Sequence, residues 1–178
     1  PNTVLVDMRN HYESEIGHFK NAVTPDVDTF RESLDIIEQD LKDHKEDKNL
    51  VMYCTGGIRC EKASAYYKHK GFKNVFQLDG GIINYVREVE SSELENKFIG
   101  KNFVFDHRRA ETITDDVVSN CHQCGNPSNV QTNCENKGCL LLFIHCNAGS
   151  GKLKTTCSTG FQLALKKNLQ ANETPKHP

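Results

Sequence analysis

Along the first ninety residues, short apolar blocks alternate with longer stretches whose apolar positions recur every third or fourth residue. VLVDMR (4–9) reads as a buried strand ending in charged residues. In DVDTFRESLDIIEQDLKDHKEDKN (26–49), Phe30, Leu34, Ile37 and Leu41 share one helical face and charges fill the other. LVMYC (50–54) is a short apolar run that predicts a central strand. CEKASAYYKHKGF (60–72) predicts a helix, with Gly71 as its C-terminal stop. NVFQLDGG (74–81) predicts a strand and a glycine turn, and IINYVREVE (82–90) a further helix. Strands alternating with helices imply an α/β domain built on a parallel sheet covered on both faces.

Residues 1–92 form this domain, and 93–118 read as a connector in which FVF (103–105) is a short strand. Beyond Ser119 the periodicity disappears and Cys, Asn and Gly take over. Residues 119–178 therefore predict a small irregular module, held by something other than a core. Its tail from Gln162 is first helical (LALKKNL) and then polar.

An apolar content of 37% and a charged content of 26% suit a water-soluble globular chain. No window approaches 18 consecutive apolar residues, so no membrane span is expected. The opening PNTVLVDMR resembles neither a signal nor a transit peptide and reads as the middle of a fold. The expectation is a chain that is the latter part of a longer protein. Charge is unevenly placed: residues 1–100 carry 13 Lys+Arg against 18 Asp+Glu, and residues 101–178 carry 9 against 6. The basic half is compatible with a nucleic-acid partner, but charge alone favours a solvated face with a slight lysine excess. With no export signal in view, eight cysteines point to a reducing, cytoplasmic compartment and to metal or catalytic roles.

Two of those cysteines sit in YCTGGIRCEK (53–62). A strand entering a glycine-bearing loop and then a helix gathers backbone N–H groups around one concavity, which stabilises negative charge. A thiol at its entrance has a lowered pKa and is a candidate nucleophile, and that residue is Cys54. Thr55, Gly56, Gly57 and Ile58 would form the anion-binding loop, and Arg59 would add a fixed charge or clamp its shape. The plainer alternative is a buried cysteine before an ordinary glycine turn. Strand, thiol, paired glycines, arginine and helix in this order favour the chemical reading.

CTGGIR resembles the six-residue active-site loop of rhodanese domains, Cys-x-x-Gly-x-Arg. VDMRNHYESEIGHFKNA (6–22) and NVFQLDGGIINY (74–85) are similar to the family's early Asp-x-Arg segment and its closing strand and Gly-Gly turn. The resemblance implies an α/β sheet domain in which Cys54 forms a persulfide. Related phosphatases lengthen the loop by one residue, whereas Cys54 and Arg59 enclose four, which disfavours a phosphatase. Cys54 to Tyr67, Phe103 to Arg108 and Cys121 to Cys146 further resemble one rhodanese subgroup, the bacterial oxygen-dependent tRNA uridine hydroxylases. That subgroup implies formation of 5-hydroxyuridine at the wobble position, molecular oxygen as co-substrate, tRNA as partner and a small α/β domain ahead of this chain. A sulfurtransferase carrying sulfane sulfur on Cys54 is the alternative; an inert binding module is disfavoured by the complete loop. No glycine fingerprint for a dinucleotide and no His/carboxylate cluster for iron is visible.

Cys60 separates the subgroup from plain rhodaneses. At the first turn of a helix it would favour its own thiolate and exchange with a persulfide or disulfide at Cys54, or else serve as a small buried side chain. Asp7 and Arg9 read as a structural ion pair, and His18 as a packing residue rather than a base. Cys121, Cys124, Cys134 and Cys139 have the spacing C-x2-C-x9-C-x4-C, which predicts the ligands of one zinc. The family pattern has further cysteines where this chain has Gly149 and Thr156, so Cys146 and Cys157 lack partners and no second metal is expected. Free thiols packed around LLLFI (140–144) are the alternative. Arg108, Arg109, Lys152 and Lys154 are candidate contacts to tRNA phosphates.

Overall fold

The computed structural model describes residues 2–139, 141–148, 155–160 and 162–163, and the chain divides after Asp116 into two compact units. Lys152, Lys154 and the tail from residue 164 lie outside the described residues. The first unit runs β1 (Thr3–Asp7), α1 (His11–Ser14), β2 (Gly17–Phe19), α2 (Phe30–Asp40), β3 (Asn49–Tyr53) and α3 (Ile58–His69). It continues with β4 (Asn74–Gln77), α4 (Gly81–Ser92), β5 (Phe98–Phe103) and β6 (Ala110–Thr112). No helix among the described residues is long and apolar enough to cross a membrane.

The predicted parallel sheet is present, with order β1-β3-β4 and β3 at its centre. Successive side chains of a strand point to opposite faces, and the two faces bury different sets. Val6, Leu50 and Met52 pack with Ile37 of α2 and with Ala63 and Tyr67 of α3. On the other face Tyr53 packs with Phe19, Ile82 and Phe98, supported by Leu5. Phe19 sits edge-on to the rings of Tyr53, Tyr85 and Phe98 at centroid distances of 4.7, 4.6 and 5.3 Å. The face of α2 containing Phe30, Leu34, Ile37 and Leu41 lies on the first core as its periodicity predicts. Thr29 caps that helix with Glu32 in a capping box. Gly71, at φ 90°, ends α3 as predicted.

Residues 93–118, expected as a connector with one short strand, are more than that. β5 and β6 form an antiparallel sheet with β2. Strands of three residues such as GHF and AET have too little period to announce themselves, and their partners decide their conformation. Gly17 pairs with Gly100, and a Cβ on Gly17 would lie 2.3 Å from the Lys101 carbonyl oxygen, so the backbones meet only because both are glycine.

Arg9, just past β1, is fully buried and joins the two sheets. Its Nε donates to Asp7 Oδ1 at 2.9 Å and its Nη2 to Asp7 Oδ2 at 2.7 Å, while Nη2 also reaches the Gly17 carbonyl at 2.6 Å. Its guanidinium carbon stands 5.8 Å from the ring centres of both Tyr53 and Phe98. Burial opposes the guanidinium's charge, and the Asp7 carboxylate outweighs it, so the Arg9 pKa is raised.

The second unit is a hairpin of β7 (Gln131–Asn133) and β8 (Leu142–Ile144) with irregular flanks, and Phe143 and Ile144 are buried in it.

Breaking a buried ion pair on one side strands the other charge, at a cost of about 3–5 kcal/mol. Arg9→Met is therefore expected to lower stability by about that amount in urea unfolding, and Arg9→Met with Asp7→Leu to recover part of it. A single substitution within about 0.5 kcal/mol of the parent, the range of ordinary surface changes, would show that the pair is not what joins the sheets.

Candidate active site

Cys54 follows β3 directly, and Gly57, in the left-handed conformation at φ 91°, turns the chain into α3. The Gly57 N–H donates to Cys54 Sγ at 3.1 Å. The largest influence on that sulfur is the Cys60 thiol, one turn into α3, which donates to it; the backbone N–H groups of Cys60, Arg59 and Gly57 add to this. Burial works the other way and loses, so the Cys54 pKa falls to about 5. The same contact, with burial, raises the pKa of Cys60. Cys54 is the thiolate of the pair and Cys60 its proton donor. This corrects the expectation that Cys60 would favour its own thiolate: two anions cannot share one nest, and the N–H groups converge on Cys54.

The loop is backed by α4. The N–H groups of Ile82 and Ile83 donate to the carbonyls of Cys54 and Thr55 at 3.0 and 3.2 Å. A Cβ on Gly81 would come within 2.5 Å of the Cys54 carbonyl oxygen, so the Gly-Gly turn is required for this approach.

Arg59 points back to α1. Its Nη1 and Nη2 donate to Glu13 Oε2 and Oε1 at 2.6 and 2.8 Å, a bidentate pair with a fully buried carboxylate. Burial disfavours the Arg59 charge, but Glu13 more than compensates, and its pKa is raised. Arg59 thus clamps the loop. Glu13 also accepts the Asn10 N–H at 3.0 Å. In the sequence its anchoring role was hidden, because a glutamate in a four-residue helix has no periodic signal.

Cys54, Thr55, Gly56, Ile58 and Arg59 line a cleft of about 520 Å³ whose remaining wall is Asn10, Tyr12, Asp28, Thr29, Phe30 and Phe105. Two apolar side chains at it are open to solvent, Ile58 at 72% and Phe105 at 69%. Phe105 lies 5.9 Å from the Arg59 guanidinium carbon and is edge-on to Phe103, which is edge-on to Tyr12.

In the second unit the four cysteines expected to bind one zinc are not brought together. Cys121 and Cys124 join Cys146, and Cys134 and Cys139 join Cys157, each trio having its sulfurs within 4.8 Å of one another. Cys134 and Cys139 lie in the connection between β7 and β8, whereas Cys146 follows β8, and sequence spacing carries no trace of that.

Residues 1–88 match the model of the rhodanese-like domain, and residues 99–160 that of the rhodanase C-terminal region. Residues 1–88 are a rhodanese-like domain. Among curated relatives, the tRNA uridine(34) hydroxylase of Yersinia enterocolitica is 58% identical over 93% of this chain and 47% of its own length. The tRNA uridine(34) hydroxylase of Yersinia pestis is 57% identical over 93% of this chain and 46% of its length. The chain thus spans about half the length of the curated relatives it matches. Among solved structures, the rhodanese-like domain of an Anabaena protein is 20% identical, with a TM-score of 0.43, over 49% of this chain and 77% of that one.

Of the other residues singled out in this chain, His18 holds the Ser14 carbonyl through Nδ1 at 3.0 Å, away from the cleft lining. Arg108 is paired bidentately with Asp106, Nε to Oδ1 at 3.1 Å and Nη2 to Oδ2 at 2.7 Å, and holds that carboxyl down at about 2. Arg109 sits in the left-handed region at φ 59°.

Alkylation of Cys54 by iodoacetamide, followed peptide by peptide, should rise with pH through a midpoint near 5 and then level off. Cys60→Ala removes the largest support of the thiolate, so the midpoint should move upward. An unmoved midpoint would remove Cys60 from the site's electrostatics.

Proposed function

We propose that this chain carries the reactive cysteine of a tRNA uridine hydroxylase, converting the wobble uridine to 5-hydroxyuridine. Two named relatives, tRNA uridine(34) hydroxylases 58% and 57% identical over nearly the whole chain, support the substrate class. The observation that carries the reading to chemistry is a sulfur with a pKa near 5 lining a cleft walled by Tyr12, Phe30 and Phe105.

A pyrimidine ring is flat and conjugated, and proteins commonly hold an unstacked base against aromatic faces. The cleft supplies such faces beside an anionic nucleophile. The C5=C6 bond of uracil is conjugated with the C4 carbonyl, so a thiolate adding at C6 sends the π pair to C5, the position that is hydroxylated. Cys54 is the nucleophile in this reading. Cys60 holds the proton that balances the anion, and Arg59, locked on Glu13, keeps Thr55 to Ile58 in shape. Hydroxylation by molecular oxygen places one oxygen atom in the base and one in water, and takes two electrons from a donor. The partner is tRNA and the compartment the cytoplasm. Arg108, now paired with Asp106, and Arg109 stay candidate phosphate contacts.

In cells lacking the gene, wobble nucleosides measured by mass spectrometry should regain 5-hydroxyuridine with the intact gene and not with its Cys54→Ala form. Restoration by Cys54→Ala would end the nucleophile assignment. Failure of the intact gene would turn the reading to sulfur transfer. Stacking of a base on an aromatic side chain is worth about 1–3 kcal/mol, so Phe105→Ala should raise the apparent KM for tRNA by about tenfold. A KM within twofold of the parent would take Phe105 out of base recognition.

A further inference from the structure

Six cysteines of the second unit form two trios that interleave along the chain: Cys121 and Cys124, then Cys134 and Cys139, then Cys146 of the first trio and Cys157 of the second. We propose that this unit holds two zinc-class divalent ions, one on each trio.

The sulfur spacing carries the argument. Metal–sulfur bonds of about 2.3 Å in a tetrahedron set the sulfurs about 3.8 Å apart. Cys124 Sγ lies 3.4 Å from Cys146 Sγ, and Cys139 Sγ lies 3.6 Å from Cys157 Sγ. All three sulfurs of each trio fall within 4.8 Å, close enough to surround a single ion and too close to surround an iron–sulfur cluster. The third sulfur of each trio is also prepared for charge. The Cys146 N–H donates to Cys121 Sγ at 3.4 Å, and N–H groups of Gln123 and Cys124 point at the same atom. Those of Cys157 and Asn136 point at Cys134 Sγ. Sulfur that receives several N–H donors is sulfur expected to be anionic, as in a metal thiolate. A pair of disulfides between the close partners would leave Cys121 and Cys134 with those donors and no charge to stabilise.

An all-thiolate donor set selects zinc and its soft congeners over magnesium, calcium or manganese. The unit also needs what a metal supplies, because among its described residues the buried apolar side chains other than cysteine are Phe143 and Ile144. The interleaving matters for that role. One ion closes the segment from Cys121 to Cys146 and the other the segment from Cys134 to Cys157, so each ring contains ligands of the other and both pin the β7–β8 hairpin. Among the described residues each trio supplies three of the four positions of a tetrahedron.

The test uses the whole chain, stripped of metal under reducing conditions and titrated with cobalt(II), with zinc content measured separately on the reconstituted protein. Two equivalents of zinc and thiolate-to-cobalt absorption that breaks at two equivalents are expected. This reading on the unsubstituted protein does not depend on any variant folding. Cys146→Ala and Cys157→Ala should each lose one equivalent, and the two together both. A single equivalent that survives Cys146→Ala and Cys157→Ala but not Cys121→Ala or Cys134→Ala would overturn the proposal in favour of one four-cysteine site. Absence of metal together with Cys124–Cys146 or Cys139–Cys157 disulfides in the reduced-handled protein would overturn it as well.

Discussion

The buried pair of Asp7 and Arg9 organises the first unit. Charges so deep are tolerated only when every donor finds a partner, and the partners Arg9 finds lie on different elements: Asp7 on β1 and the Gly17 carbonyl on β2. Holding both ends of the segment between them, Arg9 sets the path of α1, and α1 presents Glu13. Glu13 in turn takes both nitrogens of Arg59 and sets the loop around Cys54. A structural ion pair and a reactive sulfur are therefore linked through one short helix, with no direct contact needed between them.

The site divides a proton between two cysteines. One nest of N–H groups at the start of α3 can stabilise one anion, and the direction of the Cys60 thiol decides which sulfur carries it. The Arg59 charge acts on both sulfurs as a lesser coulombic influence, its guanidinium being held on the buried Glu13 carboxylate. The result is a thiolate whose neighbouring cation is locked, across the cleft from a wall that carries Tyr12, Phe30 and Phe105.

Much of this was readable in advance. The helical period of Phe30, Leu34, Ile37 and Leu41 and the strand–loop–helix order around Cys54 depend on neighbours close in sequence, and both stand as read. What escaped the sequence depends on distant partners. Glu13 meets Arg59 across 46 residues, and β2 becomes a strand because β5 lies beside it. For Cys60 the sequence left open a thiolate or a small buried side chain, because helix position alone ignores which of two sulfurs the loop's N–H groups reach. The cysteines were grouped by spacing, while the fold sorts them into two trios instead.

The Gly80–Gly81 turn against the loop has a mechanical meaning. With the Cys54 and Thr55 carbonyls bonded to the first N–H groups of α4 and no space for one extra carbon between them, loop and helix move as one body. The floor of the cleft is rigid to the depth of the sheet. Fitting differently shaped occupants then falls to the opposite wall, where Tyr12, Phe30 and Phe105 meet the cleft through side chains that turn about single bonds. The protein separates a fixed half that holds reactivity from an adaptable half that grips, as a vice has one jaw bolted and one that travels.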